Sequence, residues 1–518
     1  MNDLNKYVAL AVEDCATYPP LALQKRAKET VEEKALAYLF AQYEQGIEVT
    51  DEMLCEYIYA HREVRKATFI KLKSRVIEKL RNNLLFYEYP EENKLKVVAE
   101  AHKLYLQGVS AGASGFDKQA RDILLLCIAT CEQCEEYGIA TQAASFISGF
   151  TSLYDRTNVK KYIEAMEKYV YLEYEKQKLY IKRKLIGYQT KSTNNRAKFL
   201  SSIDKQIEEA YNTWKKTGLS TAWLLYIRFV STKSESFGGS RKTAALMRKT
   251  RTMLKQGQLK ESVVKTIYTH YAESLACLMH RDIKTGLKSV QQGLTHFKKY
   301  KMNWYVMQVH HILLLFHARK YAKVADVLDE VMRNRLAFES QFPKGIGQFK
   351  LFKAYICILL PKRWQTKLDY DQFYAESLEL RRDKKGLNFW LLLLEILWAA
   401  QKGDWDRMDR RVTALIAYKK RWTKSKRIRA FVYILAYVAQ HNYQPRKPKK
   451  AIREKLAMLR TTDLDPLTQA YPDILPLEDV YELLVTLLER KSTAITSVTK
   501  NEALQQEALE EYDTYSKL

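Results

Sequence analysis

The sequence predicts an all-α protein: a right-handed α-solenoid of stacked helix pairs with a period of about 40 residues, preceded by an N-terminal helical module. Three observations predict it. First, helix breakers are scarce, with 17 Gly and 10 Pro in 518 residues. Leu, Ala, Lys and Glu are abundant, which favours helices joined by short turns. Second, hydrophobic residues make up 47% of the chain, too many for global disorder. Third, large side chains mark turns at Ile283, Tyr321, Trp364, Trp405 and Tyr443, at steps of 38, 43, 41 and 38 residues. A step of two helices plus turns, repeated, is the signature of a stacked array in which neighbours complete each pair's core.

Residues 1–90 read as the opening module. A helix is expected from Thr30 to Tyr43, ending at Gly46. Thr50 is placed to cap the next helix, with Asp51 and Glu52 favourable at its positive end. A basic helix follows from about Val64 to Phe86, carrying or flanked by Arg62, Arg65, Lys66, Lys71, Lys73 and Arg75. That order resembles a helix-turn-helix. However, Phe69, Ile70, Val76, Ile77 and Leu80 form a buried stripe that ordinary helix packing also produces.

Residues 91–235 are expected to hold further helical repeats. The stretch Gly108–Gly115 (GVSAGASG) reads as a loop, with Asp117 capping a helix to Glu136 and Gly138 interrupting. A long Tyr-rich helix is expected from Val159 to Lys184, then a polar loop at Lys191–Lys198. Ser231–Ser240 (STKSESFGGS) reads as the best internal boundary. The clearest repeats then occupy residues 236–460. After Tyr321, the apolar positions Val324, Val327, Leu328 and Val331 keep helical spacing, as do Met408, Val412 and Leu415 after Trp405. Residues 461–518 read as a C-terminal capping helix, Leu477–Arg490, and an acidic tail, Glu502–Asp513. The tail serves as a cap, as a segment packed back on the basic middle, or as a free end.

These units resemble tetratricopeptide repeats. Gly403-Asp404-Trp405 is similar to that family's inter-helix turn, where Gly relieves the turn and an aromatic packs between the helices. Arg319-Lys320-Tyr321 is similar but lacks the Gly. The period is longer than the family's, Lys367 stands where a small apolar residue is expected, and Pro445 disrupts the Tyr443 unit. The chain also resembles a loose group of uncharacterised bacterial helical-repeat proteins. The resemblance implies a binding fold and carries no activity with it.

Charge is the most distinctive bulk property. The net formal charge is +26, made of −4 in residues 1–150, +36 in residues 151–450 and −6 in residues 451–518. Candidate contacts to a polyanion or other partner are Arg248, Lys249, Arg251, Lys298, Lys299, Lys362, Arg363, Arg381, Arg382, Lys419, Lys420, Arg421, Trp422, Arg427, Arg446 and Lys447. Many fall at predicted turns, which align along the edges of a stacked array. Lys and Arg neutralise phosphates, and Trp stacks on bases.

Catalytic motifs are not recognisable. Cys127, Cys131 and Cys134 have the C-x₃-C-x₂-C spacing of an iron–sulfur motif, but they sit on one face of a predicted helix, where Cys acts as a small hydrophobe. His310, His311 and His317 lack the further ligands a zinc site needs. Gly238–Thr243 (GGSRKT) departs from the phosphate-loop spacing and reads as a basic turn entering a helix. The expectation is therefore no enzyme, no cofactor and no metal. The reading is a protein- or peptide-binding scaffold with a strongly basic central surface, with a nucleic-acid-binding or transcription-regulatory protein as the alternative. No signal peptide or membrane span is apparent. Seven irregularly spaced Cys fit reduced thiols, so the expected location is cytoplasmic.

Overall fold

The computed structural model describes residues 30–45, 47–59, 66–85, 94–151, 156–192, 196–360, 370–377, 387–423, 425–443, 450–467 and 471–489. Among these residues the chain is all-helical, with 22 α-helices, one short 3₁₀ turn and no strand. No helix among them is long and apolar enough to cross a membrane. The chain forms two compact units, residues 1–170 and 171–518.

In the first unit, α1 (Val31–Glu44) packs on both α2 (Asp51–Tyr59) and α3 (Lys66–Leu85). Leu36, Leu39, Val49, Leu54, Leu72 and Val76 form their shared core. Thr50 caps α2 as expected, its hydroxyl accepting the Met53 N–H at 3.3 Å. Ile70 departs from the expected buried stripe of α3. It is 56% exposed, because the helix turns Leu72 and Val76 inward instead. Lys73 pairs with Asp51 at 2.9 Å and Arg75 with Glu32 at 3.3 Å, so two of the cations on α3 are engaged within the module. Arg62 and Arg65 lie outside the described residues.

α4 (Lys94–Ala113) and α5 (Asp117–Cys134) form the most intimate helix pair of this unit, and α6 (Tyr137–Thr151) packs on both. The expected loop at Gly108–Gly115 is corrected here: α4 continues through it to Ala113, and the chain breaks only at Gly115, where φ is +82°. The reason is tertiary. A Cβ on Gly108 would lie 2.5 Å from Leu124 Cγ, so glycine is what lets α4 approach α5. Asp117 is the first residue of α5 rather than its cap, and Phe116 occupies the cap position. The long Tyr-rich helix α7 spans Arg156–Ser192.

In the second unit the helices succeed one another as α8 (Arg196–Thr217), α9 (Ser220–Phe237), α10 (Ser240–Lys255), α11 (Thr266–Met279), α12 (Ile283–Leu294), α13 (Met302–His317) and α14 (Tyr321–Arg333). They continue as α15 (Arg335–Gln341), α16 (Ile346–Leu359), α17 (Tyr370–Glu376), α18 (Leu387–Lys402), α19 (Trp405–Trp422), α20 (Lys426–Gln440), α21 (Lys450–Thr461) and α22 (Leu477–Glu489). Neighbouring helices pack in pairs, and each pair packs on the next: α11 on α12, α12 on α13, α13 on α14, α18 on α19, α19 on α20. One continuous core runs from Leu275 to Leu488 and includes the large, fully buried side chains of Trp304, Phe349 and Trp390. The stretch expected as an internal boundary, Ser231–Ser240, is helical as far as Phe237. α9 runs on to Phe237, with Ser231, Ser234 and Ser236 buried, and only Gly238 and Gly239 leave the helix. Small serines tolerate burial there because a hydroxyl can bond back within its own helix, as Ser231 does to the Ile227 carbonyl at 2.9 Å.

Ile283, Tyr321 and Trp405 each open the second helix of a pair. The turns before them share one geometry. Two residues ahead of each lies a left-handed residue: Arg281 (φ 62°), Arg319 (φ 57°) and Gly403 (φ 79°). Glu135 (φ 59°) stands in the same relation to Tyr137 in the first unit. A left-handed residue closes the first helix by returning N–H groups to its last carbonyls, which lets the second helix start within two residues. Asp282 and Asp404 cap the following helices through Thr285 N–H (3.3 Å) and Arg407 N–H (3.0 Å). Trp364 and Pro445 lie outside the described residues. Tyr443 is buried, its hydroxyl donating to Asp409 Oδ1 at 3.0 Å.

Candidate partner-binding surface

The candidate basic residues separate by what they already touch. On α10, Arg248 and Arg251 lie one turn apart and converge on the buried carboxylate of Glu273 from α11. Ser289 adds a hydrogen bond to that carboxylate at 2.9 Å. Lys249, exposed between the two arginines, sits over the Trp223 ring at 5.8 Å. After α12, Lys298 and Lys299 are both exposed, and Lys299 pairs with Glu330 at 2.7 Å. At the end of α19, Lys420, Arg421 and Trp422 stand exposed, the indole at 41%. Cations in a helix's last turn are favoured by its negative end.

Two expected contacts are corrected. Lys419 is buried, and Arg427 is only 2% exposed. Arg427 sits at the start of α20, where its guanidinium donates to Asp473 Oδ2 (2.7 Å), to the Leu459 carbonyl (2.7 Å) and to the Thr462 hydroxyl (2.9 Å). A charge this deep is compatible with folding only because acids and carbonyls surround it. It cannot meet an external polyanion. Lys362, Arg363, Arg381, Arg382, Arg446 and Lys447 lie outside the described residues.

Arg427 belongs to a larger arrangement that sequence reasoning missed. The closing segment, described over residues 462–467 and 471–489, lies across the first helices of the pairs. Leu467 N–H donates to the Glu235 carbonyl of α9 (2.7 Å), and Leu464 N–H to the Met279 carbonyl of α11 (2.8 Å). His317 Nε2, at the end of α13, lies 2.7 Å from the Asp473 carbonyl. Tyr471 bonds Gln348 of α16, and α22 packs on α18. The left-handed turn residues add charge. Arg281 holds Glu478, and Arg319 forms a two-point pair with Asp479 at 2.6 and 2.9 Å. Ile474, Leu475, Leu477, Val480 and Leu484 are fully buried beneath these pairs. The available signal was the acidic balance of residues 451–518, although Glu502–Asp513, singled out from the sequence, lie outside the described residues.

Burial also sets the protonation of several groups. It lowers His270, His310 and His311 to about 4, so all three are neutral near pH 7. His310 lies 2.8 Å from the Ser274 hydroxyl and stacks on Tyr271, an interior role. Glu235 is raised to about 7 and Asp465 to about 6, both chiefly by burial.

Cys127, Cys131 and Cys134 are all fully buried on α5. The Cys127 thiol reaches the Ala101 carbonyl at 3.2 Å and Cys131 Sγ at 3.9 Å, while Cys134 reaches the Cys131 carbonyl at 3.6 Å. The hydrogen bond with Cys127 and burial hold the Cys131 thiol above its ordinary range. At Gly238–Thr243 the chain turns through two left-handed glycines into α10, and Arg241 lies 3.6 Å from Asp463.

Comparison with known protein families, with curated proteins and with solved structures gives no match for this chain.

Proposed function

We propose that this chain is a non-catalytic, cytoplasmic binding scaffold whose exposed basic edge docks an acidic protein or peptide. In this reading its helix pairs form a tetratricopeptide-like right-handed solenoid. The inner faces, where such arrays commonly hold a peptide, are taken by the chain's own closing segment. The partner therefore meets the outer ends of the helices. One observation carries the reading: Lys420, Arg421 and Trp422 are exposed together at the end of α19, whereas Lys419 and Arg427 beside them are buried. Two cations and an aromatic form the kind of rim on which an acidic segment gains both charge complementarity and buried area.

A second reading, nucleic-acid binding, is favoured by Trp422 itself, since an exposed indole beside cations can stack on an unpaired base. One experiment separates them. Labelled poly-glutamate, single-stranded RNA and duplex DNA are titrated with the nuclease-treated protein at rising salt, then with the Lys420→Glu, Arg421→Glu double variant. The scaffold reading expects poly-glutamate binding that falls at least about tenfold in the variant. Nucleic acid that outcompetes poly-glutamate at physiological salt, and loses affinity steeply with added salt, would replace it with the second reading. Affinity unchanged by the double variant would rule out this cluster for either ligand.

A further inference from the structure

The turn between α11 and α12 brings together a thiol, an imidazole and a carboxylate. Cys277, His280 and Asp282 each offer one ligating atom, and the three atoms lie within 4.8 Å of one another. Among the described residues this is the only trio of His, Cys, Asp or Glu that converges so. We propose that Cys277, His280 and Asp282 form a binding site for a divalent transition-metal ion of the zinc class.

The backbone of the turn is pinned before any metal arrives. Asp282 N–H donates to the Cys277 carbonyl at 2.9 Å and Arg281 N–H to the Leu278 carbonyl at 3.1 Å, with Arg281 left-handed between the ligands. His280 Nδ1 lies 2.6 Å from the Ala276 carbonyl. That contact commits Nδ1 to donating and leaves the lone pair on Nε2, the arrangement in which metal-binding imidazoles are usually held. Asp282 Oδ1 accepts the Thr285 N–H at 3.3 Å, which orients the carboxylate.

The donor set selects the ion. Thiolate with imidazole suits zinc and its neighbours, whereas magnesium and calcium prefer oxygen alone. Around zinc the edges of a tetrahedron between such donors are about 3.3–3.6 Å. Closing the trio from its present span needs about 1 Å of side-chain movement, which the half-buried His280 and Asp282 can make. The chemistry balances simply. The metal displaces the thiol proton to solvent, and thiolate plus carboxylate then neutralise the dication, with the fourth position left to water.

A close comparison within the chain sharpens the case. The α5–α6 turn has the same left-handed geometry and carries Cys131, Cys134 and Glu136 at the same spacing. There the Cys134 thiol is directed to the Cys131 carbonyl at 3.6 Å, and the three donors do not converge. Spacing alone therefore does not make the site; the side-chain directions at Cys277, His280 and Asp282 do. The same turn presents Arg281 and the Met279 carbonyl to the closing segment, so a bound metal stiffens the surface on which that segment rests.

The test uses the reduced, metal-free, full-length protein. Cobalt(II) is added first, then zinc. The expected result is one equivalent bound with a thiolate-to-cobalt charge-transfer band, displacement of cobalt by zinc but not by magnesium, and about one proton released per metal. Cys277→Ala should abolish the band. Asp282→Asn keeps a helix-capping residue, so the fold is retained, yet zinc affinity should fall about tenfold or more; His280→Gln should act likewise. Circular dichroism of each variant checks the fold. No saturable band in the parent, a band that survives Cys277→Ala, or zinc affinity indifferent to both His280→Gln and Asp282→Asn would each overturn the proposal.

Discussion

Replacing Arg427 with Met should be among the most damaging single changes in the second unit. The side chain is buried, and its loss leaves the Asp473 carboxylate in the interior at 5% exposure, with the Leu459 carbonyl losing one of its two guanidinium donors. Removing one partner of a buried ion pair costs about 3–5 kcal/mol. Urea unfolding, followed by circular dichroism and by limited proteolysis of residues 462–489, provides the assay. The Arg427→Met, Asp473→Asn double variant should recover most of the loss, because a buried neutral amide needs no counter-charge. A single-variant cost below about 1 kcal/mol, or no recovery in the double variant, would refute the claim that this pair holds the closing segment in place.

Two further predictions concern stability. Gly108→Ala should cost about 1–3 kcal/mol, because its Cβ would fall 2.5 Å from Leu124 Cγ, whereas Gly149→Ala on α6, with open space at its Cβ, should be neutral or gain up to about 1 kcal/mol. Thermal unfolding of the two variants side by side checks the contrast. Glu235 is raised to about 7 by burial. The folded state therefore holds its proton more tightly than the unfolded state between about pH 4.5 and 7, and the resulting stability is lost as pH rises through that window. Glu235→Gln should remove this loss, up to about 3 kcal/mol in difference from the parent by pH 8 and little at pH 4.5, read from urea midpoints at each pH.

The pairing of helices was legible because it depends on local signals. Ile283, Tyr321 and Trp405 are bulky residues after short polar turns, and each opens a second helix. Glycine misled the reading where a tertiary contact overrode local preference. Gly108 favours a break on propensity alone, but it sits inside α4 because Leu124 needs the space. The run STKSESF looked like a linker because serine is polar, yet its serines are buried within α9. The basic residues were visible as charge, but their partners were not. Arg281 and Glu478 are 197 residues apart and Arg319 and Asp479 160 apart, and no local pattern connects positions at such separations. The metal-binding trio was equally hidden, since Cys131, Cys134 and Glu136 share its spacing without its geometry.

The left-handed turns show why the closing segment is part of the array and not an appendage. A non-glycine residue in that conformation costs about 1 kcal/mol, and Gly403 shows that glycine suits the position. Yet Arg281 and Arg319 stand at the equivalent sites in the two preceding turns that use this geometry. Their strain is offset by what the conformation achieves. It directs each guanidinium toward the closing segment, where Arg281 meets Glu478 and Arg319 meets Asp479, and Arg281 also donates to the Leu459 and Arg460 carbonyls of α21. Glycine would relax the turn and release the segment. A partner that displaced the closing segment would have to break these pairs together with the buried Arg427–Asp473 pair, and then expose Ile474, Leu475, Leu477 and Val480 to water. Exposing four such side chains costs several kcal/mol beyond the ion pairs, about 1.5–3 kcal/mol for each. A partner docking as proposed, at the exposed Lys420 and Arg421, would meet no such penalty.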